Sequence, residues 1–215
     1  MKSIRIVDIP SQYVKIKAIK IKETYMQNAR HLNRSVYNIA LIAVFGAFIF
    51  VFTAFVHFPV GMGYVHLGDI FIFVACMFLG YYAVIPSAIG SALADLFLGY
   101  SFYAPATLII KALMPVIMLL IKGKKQSNIL VLIGMIAASV FMQIGYTSFE
   151  VLLVAIGNPN ATTYAAVLAP LLILSNFTQT LFGVAGGWIL IKVSQKLNLF
   201  DRIKVLISIE KENHE

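Results

Sequence analysis

Four ionisable side chains, Asp69, Asp95, Lys111 and Glu150, sit inside otherwise apolar runs of this 215-residue sequence. A charge in hydrocarbon costs about 2.5–3.5 kcal/mol on insertion scales, so each marks a place where polar chemistry is needed or where charges cancel. Asp95 and Lys111, on consecutive predicted helices, either neutralise each other as an ion pair or leave a partner free for a ligand. Glu150 has no cation obviously available to it. Gln143, Tyr146 and Glu150 follow i, i+3, i+7 spacing and share one helix face, while Asn176 and Gln179 at i, i+3 share another. The two amides of the second pair serve either as ligand contacts or as interhelical hydrogen-bond glue. His66 stands at a predicted helix start, as a cap or as a contact. Tyr103 belongs to a crowd of aromatics with Phe55, Phe58, Tyr64, Tyr100, Phe102 and Tyr164. Part of that crowd is the ordinary interfacial belt. A small flat ligand held between aromatic faces and a few convergent polar groups also suits the inventory.

Other chemistries lack their residues. Gly123-Lys124-Lys125 has neither the upstream glycine nor the following Ser or Thr of a phosphate loop. The four histidines, His31, His57, His66 and His214, are scattered, and no His-Glu-x-x-His pattern occurs. Cys76 is the single cysteine and lies in an apolar run, so no disulfide framework, cofactor thiolate or metal site is expected. Ser91 has no histidine at a matching depth to activate it. An enzyme is not expected.

The elements that must position these groups follow from hydropathy and charge. Apolar residues make up 60% of the chain and Asp, Glu, Lys and Arg only 12%, about half the charge of a soluble domain. With a mean hydropathy of +0.87, that apolar surface exceeds what a water-soluble globule this size can hide. The formal charge of +8 is confined to blocks. One block is residues 1–34, another is Lys122, Lys124 and Lys125, and the last runs from Lys192 to Lys211; only Lys111 stands apart. The positive-inside rule places all three blocks on the cytoplasmic side. An even number of spans then separates neighbouring blocks, four between the first two and two between the last. Apolar runs at 37–56, 66–80, 83–99, 105–121, 128–156 and 166–191 supply them, and the breaks carry Gly, Pro and Asn.

The expectation is an all-α integral membrane protein of six transmembrane helices with both termini cytoplasmic. Residues 1–35 form a basic cytoplasmic extension, 36–196 the membrane domain, and 197–215 a charged cytoplasmic tail. The alternation from Val14 to Lys22 suits either a short strand or a basic tail near anionic lipid. Spans two to four are short for about 30 Å of hydrocarbon. In this topology all four intramembrane charges fall in the outer half of the bilayer. That asymmetry describes a polar pocket opening outward and argues against a proton path crossing the whole membrane. On helix 1, Ala40, Ala43 and Ala47 recur at i, i+3, i+7 beside Gly46. Such a small-residue face admits another helix closely, either within the chain or from another membrane protein.

Several stretches together resemble the substrate-binding (S) components of energy-coupling factor vitamin transporters. They are Tyr64-Val65-His66-Leu67-Gly68-Asp69, Gly90-Ser91-Ala92-Leu93-Ala94-Asp95 with Gly99-Tyr100, and Tyr103 through Lys111. Gly145-Tyr146 with Glu150, and Asn176 with Gln179 and Gly183, complete the set. The resemblance runs from about Tyr37 to Lys196. It implies a six-helix bacterial plasma-membrane subunit that binds a small vitamin or precursor from outside. Delivery then needs a transmembrane coupling protein and two cytoplasmic ATPases, so ATP hydrolysis belongs to partners. Docking on the coupling protein maps onto Ala43 and Ala47, and the substrate onto the outer region of helices 4 to 6. The strings look most like the hydroxymethylpyrimidine and pyridoxine branch, with riboflavin next. An autonomous secondary transporter or a ligand-free membrane subunit are the competing readings.

Overall fold

A computed structural model describes residues 36–60, 63–124, 127–157 and 161–199, with side chains described for all of these except 60, 63, 154, 157 and 161–175. The N-terminal extension, Lys125 and the tail beyond residue 199 lie outside the described residues. Helix α1 (Val36–Ala54) leads into a hairpin of β1 (His57–Val60) and β2 (Gly63–His66). Helix α2 (Gly68–Leu79), a 3-10 turn (Gly80–Ala83) and α3 (Val84–Phe97) follow. The chain continues through α4 (Ala104–Lys122), α5 (Asn128–Gly157) and α6 (Ala161–Lys196).

A short hairpin interrupts the otherwise all-helical chain. Its antiparallel register pairs His57 with His66 and Pro59 with Tyr64. Proline has no N–H for a ladder, yet a two-stranded ribbon leaves each strand an outer edge where that loss is harmless. A four-residue strand holding proline reads in sequence as a break, which is how residues 59–63 were expected to behave.

Among the described residues, four segments are long and apolar enough to cross a membrane: Val36–Ala54, Gly68–Phe97, Ala104–Lys122 and Asn128–Leu153. Within the second, α2 has 12 residues and α3 has 14, or about 18 and 21 Å at helical rise, so neither spans alone. Gly80, at φ 57°, takes the left-handed conformation that lets the chain leave α2. Tyr64, next to the start of α2, bonds to Asp95 near the end of α3. The segment therefore doubles back instead of running straight.

Helix α1 lies antiparallel to α2. Phe45 meets Phe78, Phe52 meets Phe71 with ring centroids 4.3 Å apart, and Thr53 reaches His66. At the other end, Gln195 of α6 bonds to Asn128 at the start of α5. Lys122, Lys192 and Lys196 thus gather at the end of the bundle opposite the hairpin. Between the two ends the core is apolar, and Met114, Met118, Met135 and Met142 are fully buried in it. Unbranched thioethers fill such irregular interhelical gaps well.

Close helix approach needs glycine at one crossing. A Cβ on Gly90 would lie 2.8 Å from the Gly46 carbonyl oxygen of α1, a backbone atom unable to swing aside. Gly90→Ala is therefore expected to lose about 1–3 kcal/mol, read as a fall of several degrees in Tm. Gly46→Ala, whose Cβ would meet only Pro86 at 3.7 Å, should leave Tm nearly unchanged. Equal shifts in the two variants would show that this crossing is not tight.

Candidate functional site

The end of α1, the hairpin, the second half of α3, the start of α4 and parts of α5 and α6 converge on one polar cavity. It is lined by Thr53, Tyr64, His66, Ser91, Asp95, Tyr103, Thr107, Tyr146, Glu150, Asn176 and Gln179. Seven of the nine expected site residues are in that lining. The other two are Lys111, buried nearby, and Gln143, which is half-buried on α5.

Lys111 has the most definite role. Its ammonium lies 2.5 Å from Asp69 Oδ1 and 3.1 Å from the sulfur of Met142, with 0% of its side chain exposed. The Asp95–Lys111 ion pair, one of the two readings left open by the sequence, does not form: the partner is Asp69. Asp69 sits in the first turn of α2, on the face turned to α4 and α6, and Gln179 Nε2 donates to its second oxygen at 2.8 Å. Both carboxylate oxygens are occupied, so the pair is closed upon itself. Pro115 adds a local reason for where Lys111 sits, because it has no N–H to give the Lys111 carbonyl four residues earlier.

Asp95 and Glu150 differ. Tyr64 donates its hydroxyl to Asp95 Oδ1, and Tyr103 donates to Glu150 Oε1 at 3.2 Å. The remaining oxygens, Asp95 Oδ2 and Glu150 Oε2, are buried without a hydrogen-bond partner among the described residues, as is Ser91 Oγ. Leaving a buried acceptor unmade costs about 1–3 kcal/mol, more for a charged one. Tyr146 is satisfied instead by Thr107, to which it donates at 3.0 Å. The rings of Tyr64, Tyr100 and Tyr103 follow one another, with centroids 5.0 and 6.2 Å apart, and Phe149 continues the row at 5.5 Å. The aromatic crowd therefore divides: Phe55, Phe58 and Phe102 are exposed, Tyr64 and Tyr103 line the cavity with Tyr100 packed between them, and the Tyr164 side chain lies outside the described ones.

His66 closes the floor beneath the hairpin. Its Nδ1 accepts from the backbone N–H of Gly68 at 3.1 Å, and its Nε2 lies 3.1 Å from Gln179 Nε2. A Cβ on Gly68 would lie 2.0 Å from Thr53 Oγ1, so only glycine lets this turn close. Burial pushes the His66 imidazole down to about 3, whereas an unfolded histidine titrates near 6.5. The unfolded chain then binds the extra proton between those values. This contribution to stability is complete above pH 6.5 and declines as the solution is acidified, by up to about 1.4 kcal/mol per pH unit. Tm measured from pH 7.5 to 5 should fall in the native chain and fall less in His66→Gln. Parallel curves for the two proteins would show that His66 is protonated in the fold. Burial, with Asp95 beside it, also holds the Tyr64 phenol well above its usual range, keeping it a donor.

Asn176 and Gln179 both reach the cavity from α6, as their spacing predicts. Thr53, Tyr64, Ser91 and Thr107 were not singled out as site residues, and Asp69 was weighed only as a buried charge. The cavity volume is about 40 Å³, room for a few waters, so the lining must part to admit a ring. Among the described residues no three His, Cys, Asp or Glu side chains are grouped to hold a metal ion.

A bundle of long apolar helices with a buried polar cavity at one end defines a membrane-embedded binding protein. The family model for the ECF-type riboflavin transporter, S component, matches residues 33–196, and the chain belongs to this family. It is accordingly a multi-pass cell-membrane protein and a substrate-binding transporter subunit. Membership implies a small-molecule substrate, a transmembrane coupling partner and ATPases. A comparison with curated proteins finds no match.

Proposed function

We propose that the chain captures a small heterocyclic vitamin or vitamin precursor in the hairpin-end cavity and hands it to a coupling protein driven by two ATPases. The observation that carries this reading is the pair of buried carboxylates, Asp95 and Glu150, each with one oxygen unpartnered inside a tyrosine wall. A hydroxymethylpyrimidine- or pyridoxine-like ring stands first. Riboflavin, which the family's description names, stands next.

The hairpin end faces outward in this reading. Lys122, Lys192 and Lys196 at the opposite end then obey the positive-inside rule, six helices cross or enter the bilayer, and both termini are cytoplasmic. Ala40, Ala43 and Ala47 on the exposed side of α1 serve as the docking face. Ala43 and Ala47 border an apolar groove with Pro86 and Ile89 of α3, a form suited to receiving a partner's helix.

Purifying the chain alone and screening B vitamins by thermal shift tests the proposal. Binding without partners, weakened in Glu150→Ala with folding intact, is the expected result. Stabilisation by no heterocycle would favour a ligand-free subunit. Uptake persisting in cells without the coupling ATPases would identify an autonomous transporter.

A further inference from the structure

The end of the bundle opposite the hairpin carries a charge pattern that the cavity leaves unused. Lys122 is in the last turn of α4, Lys124 follows it in the connection to α5, and Lys192 and Lys196 stand one turn apart near the end of α6. The bond from Gln195 to Asn128, at 3.3 Å, ties the end of α6 to the start of α5, so both pairs of lysines share one rim. Among the described residues the carboxylates are Asp69, Asp95 and Glu150, and all three lie toward the hairpin. No described acid therefore neutralises this rim. Beside it, Leu120, Ile129, Ile189 and Val193 are exposed, an apolar belt that lipid chains must cover.

Lys192 is the ordered member of the four. Its ammonium lies 4.6 Å from the centroid of the Trp188 ring, and that ring packs in turn on the apolar core. Helix dipoles favour lysine in a last turn, which accounts for Lys122 and Lys196. Lys192 sits one turn further in, on the same face of α6 as Ile189, Val193 and Lys196 by their i, i+3, i+4, i+7 spacing. An indole face attracts an ammonium without neutralising it, and a cation bordering hydrocarbon is costly until an anion meets it. We propose that this face of α6 binds an anionic phospholipid, its phosphate held by Lys192 and Lys196 and its acyl chains lying on Ile189 and Val193. Free phosphate would use the lysines alone, whereas the adjoining apolar belt fits the lipid as a whole. Lys122 and Lys124, across the start of α5, add positive field at the same level. Interfacial Trp and Lys anchors of this kind set how a helix stands in the bilayer, so the bound lipid fixes the posture of α6 in its leaflet.

Trp188 is the only tryptophan in the chain, so its fluorescence reports on this face alone. The full chain is reconstituted in phosphatidylcholine vesicles containing brominated phosphatidylglycerol or brominated phosphatidylcholine at equal mole fraction, since bromine quenches an indole only at close range. The anionic lipid is expected to quench with an apparent affinity about fivefold higher, the worth of one well-placed lysine. In Lys192→Gln combined with Lys196→Gln that ratio should fall toward one. Equal quenching by the two lipids in the native chain would overturn the proposal, and that comparison stands whether or not the variant folds. A ratio unchanged in the folded variant would also overturn it. Inorganic phosphate added at constant ionic strength should leave the native ratio in place; its abolition would mark a site for free phosphate and sink the lipid assignment.

Discussion

Lys111→Met is expected to destabilise the folded chain by about 3–5 kcal/mol, because it strands the Asp69 carboxylate in the interior without a cation. The pair is wholly enclosed, and the surrounding groups, Met142 and the Tyr146 ring 5.5 Å from the ammonium, offer no replacement charge. A loss of that size would appear as a large drop in Tm and in the yield of monodisperse protein. The informative partner is the double variant Lys111→Met with Asp69→Leu. Exchanging both members of a buried pair for apolar residues of similar bulk is often neutral or even stabilising, so most of the loss should return. Gln179 would then keep an unmet donor, worth about 1 kcal/mol. If Lys111→Met instead left Tm untouched and abolished ligand binding, Lys111 would be a substrate contact and the closed pair would be misassigned.

Ala43→Trp combined with Ala47→Trp should produce the opposite phenotype. Both positions are exposed on α1 and border the apolar groove beside Pro86 and Ile89, and neither lines the cavity. Two indoles there fill the space that a partner helix needs, and close helix packing in a membrane depends on that space. Ligand affinity and Tm should be preserved, while copurification with the coupling protein falls to about a tenth or less. Transport in cells should fail with it. Retained copurification would move the docking face elsewhere on the bundle.

The helices were legible because lipid imposes a blunt rule: backbone polar groups must pair within their own segment, so apolar runs and punctuation suffice. The run at 105–121 and the helix Ala104–Lys122 differ by one residue at each end. The hairpin was not legible, since four-residue strands have too few positions for a period to show, and Pro59 and Gly63 mimic a plain turn. In the site, Glu150, Tyr146, Asn176 and Gln179 emerged from helical spacing. The identity of Lys111's partner did not. Sequence adjacency of helices offered only Asp95 as a candidate, without deciding for it, but α2 also faces α4, and its first turn brings Asp69 to the ammonium. Tyr64 was visible only as one rim aromatic among several. Its role depends on the hairpin turning it inward, a long-range effect that local spacing does not record.

The four buried methionines beneath the cavity have a consequence for transit. They fill the interior between the polar cup and the lysine-bearing end with unbranched, apolar side chains. On the capture reading proposed above, cargo taken in at the hairpin end would leave through the same mouth, and the partners that grip the bundle would have to supply the energy for unloading.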